Sequence, residues 1–380
     1  MGLHIESSYS HPKRSPFEAE MGRRVWWSLM LYDARMCEFL DNQGSPLDPT
    51  WDCKIPLNVN SFDLRPEMKE PPVLQDKPTE SIFAVIRGHI GDFLRYSAFH
   101  LDFVNPALKA IVTHNRPHIT GSVAALEQFI EEKYLKFCDE SNPLHFMTIW
   151  STRCHLAKIR LAEHYSKHSK SQPLQAGKDD DTEAHHALRM LECDAKLISS
   201  PLIRQFYWCV NLAFPFPAWM FIAQQLKRRP LTDMAERSWE IMDANYKARW
   251  MHTDQPNSPF RRIWAKMIGQ AWQARVDAYR HLGMPLEQPQ VITHLKEKMG
   301  MDFTGLPHME ETAVMKLDHL SLAPSQGLGS GPNAQSQGFG FGNQSFDQSH
   351  LETAMQPYLD PQASGVMDMD FSALDEFLWQ

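Results

Sequence analysis

The stretch Ser15-Pro16-Phe17-Glu18-Ala19-Glu20-Met21-Gly22-Arg23-Arg24-Val25-Trp26-Trp27-Ser28-Leu29 decides the fold class. It joins a helix start to a long apolar period. Ser15 is placed to cap, Pro16 suits a first turn whose amides need no intrahelical partner, and Glu18 is placed to reach back and close a capping box. Beyond it Met21, Val25, Leu29, Tyr32, Met36 and Leu40 recur at steps of three and four, which predicts a helix that buries this stripe. Asn42, Gly44 and Pro46 are expected to end it.

Working outward, Ser45 to Pro72 holds six prolines and little periodicity. This predicts an extended surface connector, about 45–78, anchored by Trp51 and Phe62. After Pro78, Ile82, Val85, Ile86, Ile90, Phe93, Leu94 and Leu101 return to helical spacing until Asn105-Pro106 interrupts them. Leu126, Phe129, Ile130, Tyr134 and Phe137 mark another helix, and Pro143 opens one that runs through Trp150, Leu156 and Leu161. A polar break at 166–181 precedes helical stretches near 183–199, 217–228, 232–250 and 259–282, the last closed by Gly283 and Pro285. No run of alternating β-branched residues between tight turns occurs, so the body, 1–320, reads as one large all-α, multi-helix domain.

Composition supports a folded body: 43% of the 380 residues are apolar and 22% charged, with 11 Trp and 21 Phe as large anchors. No apolar run of about 20 residues exists, so no membrane span is expected. Met1 to Pro16 lacks an apolar core and a small-residue cleavage site, so export is not expected either. The formal charge is −8 and is unevenly placed. Residues 321–380 contain no Lys or Arg and seven acids, which leaves 38 basic against 39 acidic residues in the body. A nearly neutral body exerts little pull on phosphate, so it should bind DNA poorly alone.

Several constellations invite a chemical reading. Asp179-Asp180-Asp181-Thr182-Glu183 fits the D-D-x-x-D/E pattern with which magnesium-dependent helical prenyl-diphosphate enzymes hold a hard cation, the alternative enzyme reading. It also suits a solvated loop before a helix N-terminus, and no second carboxylate set follows at matching spacing. His164 and His168 stand four apart, a metal-compatible spacing, but Lys167 and Lys170 beside them favour a polar face. His185-His186 cannot both face one ligand. The run Gly327-Leu328-Gly329-Ser330-Gly331 lacks the strand, helix and downstream cation of a phosphate loop. Arg23-Arg24, Arg261-Arg262 and Lys227-Arg228-Arg229 read as solvated or helix-terminal charges rather than a nucleic-acid face. Cys37, Cys53, Cys138, Cys154, Cys193 and Cys209 have no C-x-x-C spacing and read as buried free thiols, so neither catalytic nor metal-binding residues are assigned and no cofactor is expected.

From 321 the composition shifts to Gly, Ser, Gln and Asn, a disordered linker by its sequence. It leads to an activation-like segment, 366–380, in which Asp368, Asp370, Asp375 and Glu376 alternate with Phe371, Leu374, Phe377, Leu378 and Trp379. If it coils, Phe371, Leu374 and Leu378 share a face with Phe377 at its edge. Such a segment suits weak, exchangeable binding in a partner's groove, or docking on its own body.

The stretch quoted first, continued to Asp33-Ala34-Arg35, resembles the regulatory middle homology region of fungal zinc binuclear cluster transcription factors. Gly44-Ser45-Pro46 and Ile55-Pro56-Leu57-Asn58 follow at that family's distances, and Gly2-Leu3-His4 resembles its entry. The resemblance is carried by residues 2 to 60, extends to about 165, and thins beyond. It implies a nuclear regulator, often of a metabolic or secondary-metabolite gene cluster, in which a six-cysteine zinc cluster reads DNA and a helical region regulates. A C-terminal acidic segment would bind coactivator or the transcription machinery, and some relatives respond to small inducers. Arg23, Arg24, Trp26, Trp27, Asp33, Pro46 and Pro56 match the signature in structural roles. None of the cysteines fits the zinc cluster, so zinc and DNA enter only through an upstream cluster. Either the true start lies upstream, or the chain is a shortened co-regulator that pairs with a full-length partner, as a homo- or heterodimer.

Overall fold

Ser15 caps the first helix as its sequence predicts: its Oγ accepts from the Glu18 amide at 3.2 Å, and Glu18 Oε2 accepts from the Ser15 amide at 2.9 Å. The structure, a computed structural model, describes residues 3, 5–6, 14–40, 51–95, 97, 122–168, 179–210, 213–250 and 259–300. Ten α-helices lie among them. They are α1 (Pro16–Leu40), α2 (Ile82–Arg95), α3 (Val123–Lys133), α4 (Pro143–His168), α5 (Asp179–Ser199), α6 (Tyr207–Val210), α7 (Phe216–Arg228), α8 (Asp233–Trp250), α9 (Pro259–Leu282) and α10 (Gln290–Met299). No strand occurs among the described residues, so the fold is all-α. No described helix is long and apolar enough to cross a membrane.

Local signals account for most boundaries. Ser122 Oγ accepts from the Ala125 amide at the start of α3, and Asn142 Oδ1 accepts from Leu144 and His145 around Pro143 at the start of α4. α9 ends at Gly283 with φ +63°, a left-handed conformation that glycine adopts without strain. The sequence reading misses α10 and the short turns at Pro201–Phe206 and α6. The start of α10 is held from a distance: Asp243 on α8 accepts from the Gln290 and Val291 amides at 2.9 and 2.7 Å.

α4 lies along α5, α8 packs on the other side of α5, and α7 sits between α5 and α9, with α10 crossing α8 and α9. The centre is aromatic. Trp264 meets Trp219 and Trp250 edge-on at 4.9 and 4.3 Å and stacks on Tyr246 at 5.3 Å. Each such pair adds about 0.5–1.5 kcal/mol beyond the area it buries. A buried polar lock threads this centre. Asn245 accepts from Trp219 Nε1 at 3.0 Å and donates to Asp194 at 2.8 Å, and Arg249 Nε donates to the same carboxylate at 2.6 Å.

α2 rests on α4, and α1 rests on α2, which makes α1 the outermost layer. Here two expectations are corrected. Met21, Val25, Leu29 and Tyr32 are exposed, at 40%, 51%, 47% and 49%, not buried. α1 is apolar on more than one side, and the larger Trp26 and Trp27 take the inward positions because they cover more surface and Trp27 finds an acceptor. Phe62 does not anchor the connector: it is 70% exposed, and Trp51 alone of the pair is buried. α2 ends at Arg95, and the predicted continuation through Leu101 falls outside the described residues, as do the α1 stop signals at 42–46 and the side chains of Met36 and Leu40.

Candidate functional site

The signature residues of α1 converge on the connector through one buried carboxylate. Glu20 has no exposed surface. Its oxygens accept from the Leu57 amide at 3.1 and 3.2 Å and from Arg24 Nε at 2.9 Å, and Arg23 Nη1 lies 3.5 Å away. Arg24 Nη2 continues to Ser81 Oγ at 2.6 Å, and Ser81 Oγ donates to the Val59 carbonyl at 2.7 Å. A single chain of polar contacts therefore ties α1, the connector and the entry to α2. Spacing makes this possible: Glu20, Arg23 and Arg24 stand at i, i+3 and i+4 and share one helix face.

Arg23 forks onto Glu6, which also accepts from the Lys54 amide at 3.1 Å. Burial pushes the Glu6 carboxyl up, but the Arg23 and Lys54 hydrogen bonds and the two positive charges outweigh it and hold the carboxyl below its ordinary value. Beside this sits a smaller apolar cluster of Trp26, Trp27, Trp51 and Cys53, separate from the main core. Both α1 tryptophans meet Trp51 edge-on, at 5.4 and 5.1 Å, and Trp27 Nε1 donates to the Lys54 carbonyl at 2.8 Å. The Arg95 guanidinium covers the other side of Trp51 at 3.8 Å.

The fit against α2 depends on two glycines. A Cβ at Gly91 would stand 2.7 Å from the Trp27 ring, and one at Gly88 would stand 2.9 Å from Ile55 and 3.2 Å from the buried Pro56. Neither Glu20 nor these glycines is singled out by the sequence reading. The Glu20-x-x-Arg23-Arg24 spacing is the signal that finds the first, whereas close approach to Gly88 and Gly91 has no local signature. Asp33 keeps its place in α1, but its side chain, Pro46 and the whole segment 366–380, with Asp368, Asp370, Phe371, Leu374, Asp375, Glu376, Phe377, Leu378 and Trp379, lie outside the described residues.

Chemically the junction fastens. Its arginines are held by carboxylates, and burial pushes the Cys53 thiol up to about 12, so it carries no thiolate nucleophile near neutral pH. Among the described residues, the other candidates are engaged by neighbouring groups. Asp181 pairs with Arg229 at 2.9 Å, and Glu183 is buried against His164. His185 Nδ1 bonds the Asp181 carbonyl at 2.6 Å. No cluster of three or more His, Cys, Asp or Glu that could hold a metal occurs among the described residues, and the side chains of Asp179 and Asp180 lie outside them. The cleft beside Asp181, lined by Gln225, Arg229, Thr232 and Ser238, has room for about one water molecule. The side chains of His168, Arg261 and Arg262, and the glycine run 327–331, lie outside the described residues. Burial also pushes up the thiols of Cys138 and Cys193, each to about 11, and that of Cys154.

Comparison with known proteins adds what geometry does not. The chain is 43% identical over 332 residues to the transcriptional regulator AacuB of Aspergillus aculeatus, covering 86% of this chain and 44% of that one. Its relatives are fungal transcription regulators. The transcriptional regulator nsrM of Aspergillus novofumigatus is 40% identical over 331 residues, again 86% of this chain and 44% of the relative. The aurofusarin cluster transcription factor aurR2 of Gibberella zeae is 26% identical over 309 residues, 79% and 45% of the two chains. The chain thus spans less than half the length of the relatives it matches. No family model matches it, and no solved structure does.

Proposed function

We propose that this chain regulates transcription of a biosynthetic gene cluster in the nucleus, as a regulator of the fungal zinc-cluster type. The observation that carries this reading is the 43% and 40% identity to transcriptional regulators over 86% of the chain. The helical body is the regulatory part, and segment 366–380 engages coactivator or the transcription machinery. A nearly neutral body supports the view that DNA is read by another module and not by this one.

A second reading is tested alongside it. In it the chain is a co-regulator that pairs with a full-length homologue and titrates it. Fusing residues 351–380 to an unrelated DNA-binding domain tests the activation role. Reporter induction that is lost when Phe371, Leu374, Phe377 and Leu378 become Ala is expected. No induction, or induction unchanged by the four substitutions, refutes it. A strictly monomeric chain with no affinity for the full-length relative would remove the second reading.

A further inference from the structure

Arg87 on α2 is a buried cation without a carboxylate. Burial is the largest influence on its guanidinium and pushes it down from its ordinary value, and its Nε is closed to solvent with no acceptor. An arginine cannot shed its proton to escape that cost, and a buried charge with no counter-charge is strongly unfavourable. Asp92, the acid on the same helix, is taken by Arg95 at 2.7 Å. The Phe83 ring, 5.2 Å from the guanidinium carbon, gives partial cover and carries no formal charge. What faces the cation is sulfur: Arg87 Nη1 donates to Cys209 Sγ at 3.8 Å, from α2 to α6 across 122 positions of the chain.

Cys209 stands apart from the other four cysteine side chains described. Cys53, Cys138 and Cys154 donate their thiol protons to backbone carbonyls, at 3.8, 3.6 and 3.5 Å, and burial pushes all three thiols up. Cys193 has no exposed surface. Cys209 instead accepts from a cation and is only half-buried, next to Trp208, which is 74% exposed. A thiol reacts as its anion, so a guanidinium at the sulfur favours the reacting form, and partial exposure admits a small reagent.

We infer that Cys209 is a peroxide-oxidisable thiol activated by Arg87, with hydrogen peroxide or another small hydroperoxide as its co-reactant. The sulfur attacks one peroxide oxygen; the S–O bond forms as the O–O bond breaks. Sulfur is oxidised by two electrons and the peroxide reduced, and the thiol proton ends on the leaving oxygen as water or an alcohol. The product is a sulfenic acid, which a thiol reductant returns to cysteine through a mixed disulfide. Its anion gives Arg87 a charged partner, so oxidation draws α6 more tightly onto α2. The inference is independent of the transcriptional reading.

The test uses the full 380-residue chain. Iodoacetamide is added at neutral pH for timed intervals, the remaining thiols are labelled after unfolding, and mass spectrometry gives a rate for each cysteine. Hydrogen peroxide with dimedone, which traps sulfenic acid, is mapped in the same way. We expect Cys209 to alkylate about fivefold faster in the folded chain than in the chain unfolded in urea, and to take dimedone first. Cys53, Cys154 and Cys193 should be about a hundredfold slower when folded, since buried thiols are inert. Arg87→Met should slow Cys209 about tenfold, and Arg87→Lys, which restores the charge, should recover most of the loss. Folded Cys209 reacting no faster than unfolded Cys209 overturns the inference, as does dimedone appearing first on another cysteine. So does an unchanged rate in Arg87→Met while Cys53, Cys154 and Cys193 stay protected. If Arg87→Met exposes those three thiols, the packing has loosened, and the wild-type comparison of folded with unfolded Cys209 decides by itself.

Discussion

Replacing Glu20 by Ala should release the connector from α1 while leaving the helical centre intact. The carboxylate has no exposed surface and holds three groups: the Leu57 amide, Arg24 and, more loosely, Arg23. Breaking a buried ion pair from one side costs about 3–5 kcal/mol, and an orphaned buried amide about 1–3 kcal/mol, costs that overlap rather than add. Arg23 keeps Glu6, and the Arg24 side chain is 23% exposed to water, so the lower end applies, about 3 kcal/mol. At 1.36 kcal/mol per factor of ten this is a rise of roughly a hundredfold in local opening. Hydrogen exchange by mass spectrometry reads it directly. Peptides spanning 51–60 should exchange about a hundredfold faster, with peptides of α4 changed less than about threefold. Glu20→Gln, which keeps an acceptor for Leu57 but loses the charge, should fall between. Unchanged exchange at 51–60 would refute the role of the carboxylate, and equal acceleration everywhere would refute the separability of the outer layer.

Gly91→Ala forces a Cβ to within 2.7 Å of the Trp27 ring, an overpacking cost of about 1–3 kcal/mol that the better helix propensity of Ala offsets by about 1. A lower urea midpoint is the expected result, and an unchanged or raised one would show that Trp27 is free to shift. His89 supplies a pH test. Burial, with the Lys133 charge adding to it, holds its pKa down at about 4, against 6.5 when unfolded, while its ring meets Tyr134 Oη at 2.9 Å. Between those values the unfolded chain binds more protons, so stability rises with pH through that window, and the folded state should lose about 2 kcal/mol at pH 5 relative to pH 7.5. His145 and His186 are shifted the same way, so the readout is the difference between wild type and His89→Phe. The variant should show the flatter profile in urea titrations from pH 5 to 7.5, and parallel profiles would contradict the assignment.

Local signals made most helices legible. The capping box at Ser15, the Asn142-Pro143 start of α4 and Gly283 after α9 each act within a few residues, and those boundaries follow from sequence. α10 was missed because its start is capped by Asp243, 47 residues away, and prolines at 285 and 289 read as the end of helical structure. The face of α1 was misjudged for a related reason. Periodicity finds the regular row of Met21, Val25, Leu29 and Tyr32, but the inward choice was made by the two tryptophans, the Lys54 carbonyl and Gly91, which sequence spacing does not bring together. The signature arginines read as solvated or helix-terminal charges, whereas both are largely covered and paired with Glu20 and Glu6, the latter across a 17-residue gap that no local spacing reveals.

The way α10 is fastened has a mechanical consequence. The chain continues from the end of this helix, so tension applied along it there is delivered to Val291, Ile292 and Leu295 in the core and to the two Asp243 hydrogen bonds at the first turn. These form a short lever, whereas the packed rings of Trp219, Tyr246, Trp250 and Trp264 tie three helices, α7, α8 and α9, to one another. Under load α10 should therefore peel first and act as a mechanical fuse, yielding at small force while the aromatic centre stays whole.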